Sequence, residues 1–155
     1  MIRTFLTGVI LPTIFLLNAC SGDSLSREDE IKRFIEAGIE AAENRSSSDL
    51  AEMIDENYLD DKGYNKTQLS KIARFYFLRH KKIYLFTKIE QIEFLADNQA
   101  LITLYVAMAG SVISDASVLS RLRAKTYQFE LELVKQDEWL LRRASWQPAS
   151  IGDIQ

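Results

Sequence analysis

At Lys82 the apolar residues of this chain change their spacing, from every third or fourth position to every second. A helix repeats about every 3.6 residues and a strand every two, so the change divides the chain into a helical part and a stranded part. Before it, Ile31, Phe34, Ile35, Gly38, Ile39 and Ala42 form one apolar stripe behind Ser26 and an acidic first turn, Glu28-Asp29. That pattern predicts a capped helix whose dipole favours the acids at its start. Ser46-Ser47-Ser48 ends it, and a short second helix is expected from about Asp49, with Leu50, Met53 and Ile54 inward. Asp55 to Tyr64 reads as a polar connection. Asn65 and Gln68 then supply both halves of a capping box for a third helix. Its stripe is Leu69, Ile72, Ala73, Tyr76, Phe77 and His80; Phe75 and Leu78 add apolar area on another side, so it is expected to be more buried than the first.

After Lys82, Ile83, Leu85, Thr87 and Ile89 share one face of a strand, but Ile92 and Phe94 have the opposite parity. Keeping both sets inward requires an extra residue near Glu90-Gln91, a β-bulge that bends the strand. Asp97-Asn98 turns the chain into a second strand, Ala100 to Ala109, with Ile102, Leu104, Val106 and Met108 on one side. Gly110 to Ser120 is expected to be a loop or a short helical excursion. A third strand, running to about Val134, alternates Tyr127, Phe129, Leu131 and Leu133 with Gln128, Glu130 and Glu132; Gln136-Asp137 turns it into a fourth, Trp139 to Gln147. Helices first and an antiparallel meander second define an α+β domain with helices on one face of a strongly curved, four-stranded sheet.

That order, with the closing Glu138-Trp139-Leu140-Leu141-Arg142-Arg143-Ala144-Ser145-Trp146-Gln147-Pro148 and the stretch Asp55 to Phe94, resembles the nuclear transport factor 2-like (SnoaL-like) superfamily. The likeness covers nearly all of Glu28 to Pro148. It implies a cone whose sheet wraps a long helix and leaves a pocket at the wide end. The superfamily includes isomerases, dehydratases, polyketide cyclases and proteins without known activity, so the fold leaves the chemistry open.

The first residues carry a separate signal. Arg3 precedes an apolar run from Phe5 to Leu17, too short for a stable membrane span, that ends Leu17-Asn18-Ala19-Cys20. This resembles the lipobox of bacterial lipoproteins, with Asn18 where a smaller residue is usual. The resemblance implies removal of residues 1–19 and lipidation of Cys20, which in that family carries three acyl chains; an ordinary signal peptide or an apolar first helix are the other readings. Cys20 is the only cysteine, consistent with an exported domain that has no disulfide. Ser21, where an aspartate would imply retention at the inner membrane, points to the outer membrane facing the periplasm. Residues 20–26 then form a tether, 27–148 the domain and 149–155 a tail with little to pack. Without residues 1–19 the chain keeps 18 basic against 22 acidic side chains, net −4, which argues against a nucleic-acid partner.

Candidate site residues are few. His80 is the only histidine, so it has no second histidine to share a metal or a proton relay; a structural or pocket-lining role on the inward stripe is expected. Asp55, Glu56, Asp60 and Asp61 read as a solvated loop, and calcium-loop spacing is missing. Successive strand residues face opposite ways, so a regular strand would turn Arg142 or Arg143 inward. The expectation is a cross-strand salt bridge to Glu130 or Glu132; a pocket arginine holding an anion, or a bulge exposing both, are the alternatives. Tyr76, Tyr84, Tyr105, Tyr127 and Trp146 are pocket candidates with an apolar body and a polar handle. Arg121, Arg123 and Lys125 read as an exposed sheet edge. No cofactor and no metal are expected. Three functions stay open: a membrane-tethered domain, held through Cys20, that binds a small molecule or a protein; an isomerase- or cyclase-like enzyme; and an assembly module that forms homodimers through the outer face of its sheet.

Overall fold

A computed structural model of the chain describes residues 25–110 and 124–154. Cys20, Ser21, Arg121 and Arg123 lie outside them, as does most of the Gly110–Ser120 segment. The first seven elements follow the expected order: α1 (Arg27–Glu43), α2 (Ser47–Glu52), α3 (Lys66–Arg79), β1 (Tyr84–Ala96), β2 (Gln99–Ala109), β3 (Lys125–Lys135) and β4 (Trp139–Pro148); a short α4 (Ile151–Ile154) stands where a tail was expected. The four strands form one antiparallel sheet in the order β1-β2-β3-β4.

Local chemistry sets the helix boundaries. Ser26 Oγ accepts the Asp29 amide at 3.1 Å to begin α1. Ser46 caps α2 by accepting the Asp49 amide at 3.3 Å, so this helix begins at Ser47, two residues before the expected start. At the head of α3, Asn65 Oδ1 accepts from the Gln68 amide and Gln68 Oε1 accepts from the Asn65 amide, both at 3.0 Å. The capping box is therefore complete. Arg45 turns the chain from α1 into α2 at φ 58°, the left-handed region that side chains other than glycine seldom enter.

The β1–β2 register shifts between Ile89 and Gln91, leaving Glu90 as the extra residue at the expected bulge. Leu85, Ile89, Ile92 and Phe94 consequently pack together on the concave face with Ile102, Leu104, Val106 and Leu133, and α1 adds Ile31 and Ile35. A further bulge interrupts β3–β4: Glu132 pairs with Arg143 and Leu133 with Leu141, which leaves Arg142 as the extra residue.

Four expectations are corrected. The first concerns α3, which buries only Phe77, whereas α1 buries Ile31, Ile35 and Ala41. One face of α3 reaches the body of the domain, and its remaining apolar side chains turn outward. The second concerns the tail, which is not loose. Ile154, 2% exposed, and Ile151 pack on Ala107, Phe86 and Tyr105, covering an apolar patch on the outer face of the sheet. Thirdly, Lys125 begins a central strand rather than a sheet edge.

The fourth is the connection between α2 and α3. The backbone of residues 53–59 attaches to the free edge of β4: the Leu141 amide donates to the Met53 carbonyl at 2.8 Å, the Asp55 amide to the Leu141 carbonyl at 2.9 Å, and the Leu59 amide to the Arg142 carbonyl at 3.3 Å. An edge strand has unpaired amides and carbonyls that need partners, and the connection supplies them. Tyr58, Asp55 and Asp60 are buried as a result.

Candidate functional site

Between the helices and the concave face of the sheet lies a hollow of about 310 Å³. Phe34 and Gly38 of α1, Leu50 of α2, and Leu69 and Ala73 of α3 wall one side, while Leu85, Leu104, Val106, Phe129 and Leu141 wall the other. Among the described residues its walls contain no acid, base, tyrosine or histidine, and the polar side chains among them are Ser70 and Thr87. The Ser70 hydroxyl donates to the Lys66 carbonyl at 2.8 Å, the turn behind it in its own helix. A larger hollow, about 810 Å³, runs outside the cone between α1, α2 and the β3–β4 turn. Glu30, Glu40, Asp49, Glu52, Asp137 and Glu138 make it strongly charged. Hollows that hold small molecules are mostly apolar with a few placed polar groups, a description that fits the inner one better.

The buried acids lie at the edge of the sheet. Fully buried Asp55 accepts the Asn57 amide at 2.7 Å and the Gln136 side-chain amide at 2.9 Å. Arg142 Nε stands 3.1 Å from Asp55 Oδ1, a close ion pair in which the N–H is not aimed well enough to count as a hydrogen bond. Asp60, 5% exposed, accepts the Lys62 and Tyr64 amides, each at 2.9 Å, and lies 3.4 Å from the Tyr58 hydroxyl. Burial first, and the Asp60 charge second, raise the pKa of that hydroxyl well above a tyrosine's ordinary range. Gly63, at φ 78°, completes the turn around Asp60. The oxygens of both carboxylates are therefore engaged in holding the connection together. The expected solvated loop is, at Asp55 and Asp60, a structural knot, while Glu56 and Asp61 stay exposed as expected.

Arg142 and Arg143 do not form the expected bridges to Glu130 or Glu132. The bulge takes Arg142 out of register, so that it reaches Asp55, while exposed Arg143 approaches Asp61 at 3.8 Å. Glu130 instead accepts from the Ser145 hydroxyl at 3.4 Å.

None of the seven sequence candidates Tyr76, His80, Tyr105, Tyr127, Arg142, Arg143 and Trp146 is among the side chains that wall the inner hollow. His80 is exposed as the C-cap of α3, stacked on Tyr76 with ring centres 4.0 Å apart and with Nδ1 3.0 Å from the Tyr76 carbonyl oxygen. Burial, then proximity to Tyr127, raises the Tyr76 pKa. Tyr127 meets Phe129 edge-on. Tyr105 is on the outer face, where its hydroxyl accepts from Gln128 at 3.2 Å; burial first and Glu90 next raise its pKa. Tyr84 begins β1. Trp146 stacks on Phe129 and carries the Lys62 ammonium 4.0 Å from its ring centre. Tyr76, His80 and Tyr127 come near one another, but the seven do not converge on one site. The wall residues had been visible as helix and strand stripes; no local signal separates a stripe that closes a core from one that surrounds a space.

Among the described residues, no group of three or more His, Cys, Asp or Glu side chains is placed to hold a metal ion, and no helix is long and apolar enough to cross a membrane.

No protein-family model matches the sequence, and comparison with curated proteins finds no match. Solved structures do resemble it in fold. A putative scytalone dehydratase from Novosphingobium aromaticivorans superposes with a TM-score of 0.66 at 14% identity, over 79% of this chain and 84% of that one. A domain of unknown function with a cystatin-like fold from Nostoc punctiforme gives 0.61 at 17% identity, over 79% and 77%. An NTF-2 like protein of unknown function from Shewanella oneidensis gives 0.58 at 15% identity, over 78% and 98%. Identities this low speak to fold alone. Three N-terminal helices on a bent four-stranded antiparallel meander, shared with these structures, give this chain the NTF2-like fold.

Proposed function

We propose that the chain is a membrane-anchored lipoprotein of the cell envelope, held through lipid on Cys20 and facing the periplasm, whose cone binds a small apolar molecule without transforming it. The hydrocarbon lining of the inner hollow carries the binding half of this reading, and Leu17-Asn18-Ala19-Cys20 supports the anchor. Acid–base catalysis of the ketosteroid-isomerase or SnoaL kind needs a carboxylate, phenol or imidazole within reach of the substrate. Among the described residues the walls offer two hydroxyls, and the buried acids nearby are occupied with backbone and side-chain partners. An apolar ligand in such a space would be held by surface burial, worth about 25 cal/mol for each Å² removed from water.

Dimerisation through the sheet has less support. The outer face presents Thr103, Gln128, Glu130, Glu132, Arg143, Ser145 and Gln147, and α4 covers the apolar patch at Phe86 and Ala107. An exposed apolar patch is what such an interface would need.

The test is titration of the purified full chain with the apolar dye N-phenyl-1-naphthylamine, alongside native mass spectrometry of chain extracted from its host. Saturable dye binding, weakened about tenfold or more in Ala73→Phe, is expected, since a tenfold loss corresponds to about 1.4 kcal/mol. Dye binding that is absent, or equal in the variant, would overturn the reading, as would a retained molecule that is polar and turned over on incubation.

A further inference from the structure

Between Asp61 and Glu90 the chain contains Lys62, Lys66, Lys71, Arg74, Arg79, Lys81, Lys82 and Lys88 and no acidic residue, in a molecule of net charge −3. Most of this segment is α3 and the turn that follows it. Leu69, Ser70 and Ala73 point from α3 into the hollow and Phe77 is buried, which places Phe75 on the opposite side, flanked by Lys71, Leu78 and Arg79. Phe75 is 60% exposed, Leu78 75% and Ile72 44%. Arg79 extends over the Phe75 ring, its guanidinium carbon 5.4 Å from the ring centre. Among the described residues no carboxylate pairs with Lys71, Arg74, Arg79, Lys81 or Lys82, whereas Lys66 pairs with Glu56 at 2.6 Å and Lys88, beyond α3, is engaged on the sheet.

We infer that the outer face of α3 is a docking surface for an anionic lipid bilayer. The apolar side chains alone would suit several partners, and the charge selects among them. A helix that lies in a membrane interface buries Phe and Leu into the boundary between headgroups and acyl chains while Lys and Arg meet the headgroup phosphates. A second copy of this chain would oppose cation to cation across the same face, and like charges repel. A nucleic acid would satisfy the cations but leave Phe75 and Leu78 without apolar cover. An anionic bilayer satisfies both sets of side chains together. The inference is independent of the hollow and of its ligand, and it differs from tethering: a lipid on Cys20 would hold the chain near a membrane in any orientation, whereas this face would fix one.

Lysine acylation footprinting of the full chain in vesicles separates these cases, because the tether is then constant and only the lipid headgroup changes. In vesicles containing phosphatidylglycerol, acylation of Lys71, Lys81 and Lys82 should fall about threefold relative to phosphatidylcholine vesicles, as expected for cations held at an anionic interface. Lys32 on α1 should stay constant. Salt should restore labelling, since it screens the attraction, and the exposed-site variant Phe75→Asp with Leu78→Asp should label alike in both lipids. Salt titration of the unaltered chain decides the matter even where that variant folds poorly. Equal labelling in the two lipids would overturn the inference. So would protection that follows protein density instead of headgroup charge, because it would assign the face to a second copy of the chain.

Discussion

The two long helices, α1 and α3, are built by the same local rules and used in opposite ways. Each begins at a side-chain cap and each presents an apolar stripe to the cone. The other side of α1 is polar, with Lys32, Arg33, Glu36 and Glu40 exposed, and its first turn is fastened across the domain: Glu30 accepts from Lys135 at 2.5 Å and from the Trp139 indole at 2.9 Å. The other side of α3 is apolar and cationic, and what fastens it lies beforehand, in the knot around Asp55 and Asp60. The difference teaches that the apolar content of a helix does not measure its burial. One stripe faces the body of the protein, and a second calls for a second partner.

The strongest way to break this comparison is to truncate one side chain on each helix. Ile31→Ala should destabilise the fold by about 2–5 kcal/mol, the usual range for a fully buried aliphatic side chain. Leu78→Ala should change it by no more than about 0.5 kcal/mol. Urea denaturation of the two variants checks this, and comparable losses would mean that α3 is buried after all.

Asp55→Ala sharpens the claim about the knot. It removes the acceptor of the Gln136 amide and the counter-ion of Arg142. A loss of about 1–3 kcal/mol is expected from donors left without partners in a buried site. Arg142→Leu in the same background should recover part of it, and a double-mutant cycle that sums without coupling would contradict the pairing. Asn65→Ala should cost about 1 kcal/mol, typical of a lost N-cap, with amide exchange accelerated in the first turn of α3 before anywhere else.

The smallest effect concerns pH and α1. Hydrogen bonds from Lys135 first and Trp139 second hold the Glu30 pKa below its ordinary 4.5. A carboxylate whose folded pKa is lowered stabilises the fold above its unfolded value and loses that contribution as pH falls through the folded one. The stability difference between the natural chain and Glu30→Gln should therefore be constant near neutrality and shrink on acidification below about 4.5. A difference that does not change across that window would remove Glu30 from the fastening of α1.

Features whose cause lies within a few residues were legible beforehand. The change of apolar period at Lys82 separated helices from strands, the parity switch between Ile89 and Ile92 placed a bulge near Glu90-Gln91, and Asn65 with Gln68 announced a capping box that is present in full. Among candidate site residues legibility was poorer. The stripes contained the walls of the hollow without distinguishing them from core, and the aromatic residues chosen for their polar handles lie elsewhere.

What the sequence determined by itself was the order of α1 to β4, the caps of α1 and α3 and the inward faces of β1, β2 and β3, because backbone hydrogen bonding and alternation are local and repeat in register with the chain. Tertiary structure alone decided which apolar side of α3 turned inward, why Asp55 and Asp60 are buried, where Arg142 points and what Ile154 covers. Each of those depends on contact between segments far apart in sequence: an unpaired strand edge meeting a connecting loop, an extra residue in β4, or a C-terminal turn meeting the outside of the sheet. Periodicity records that a side chain has a buried direction; only the packed chain supplies what it is buried against.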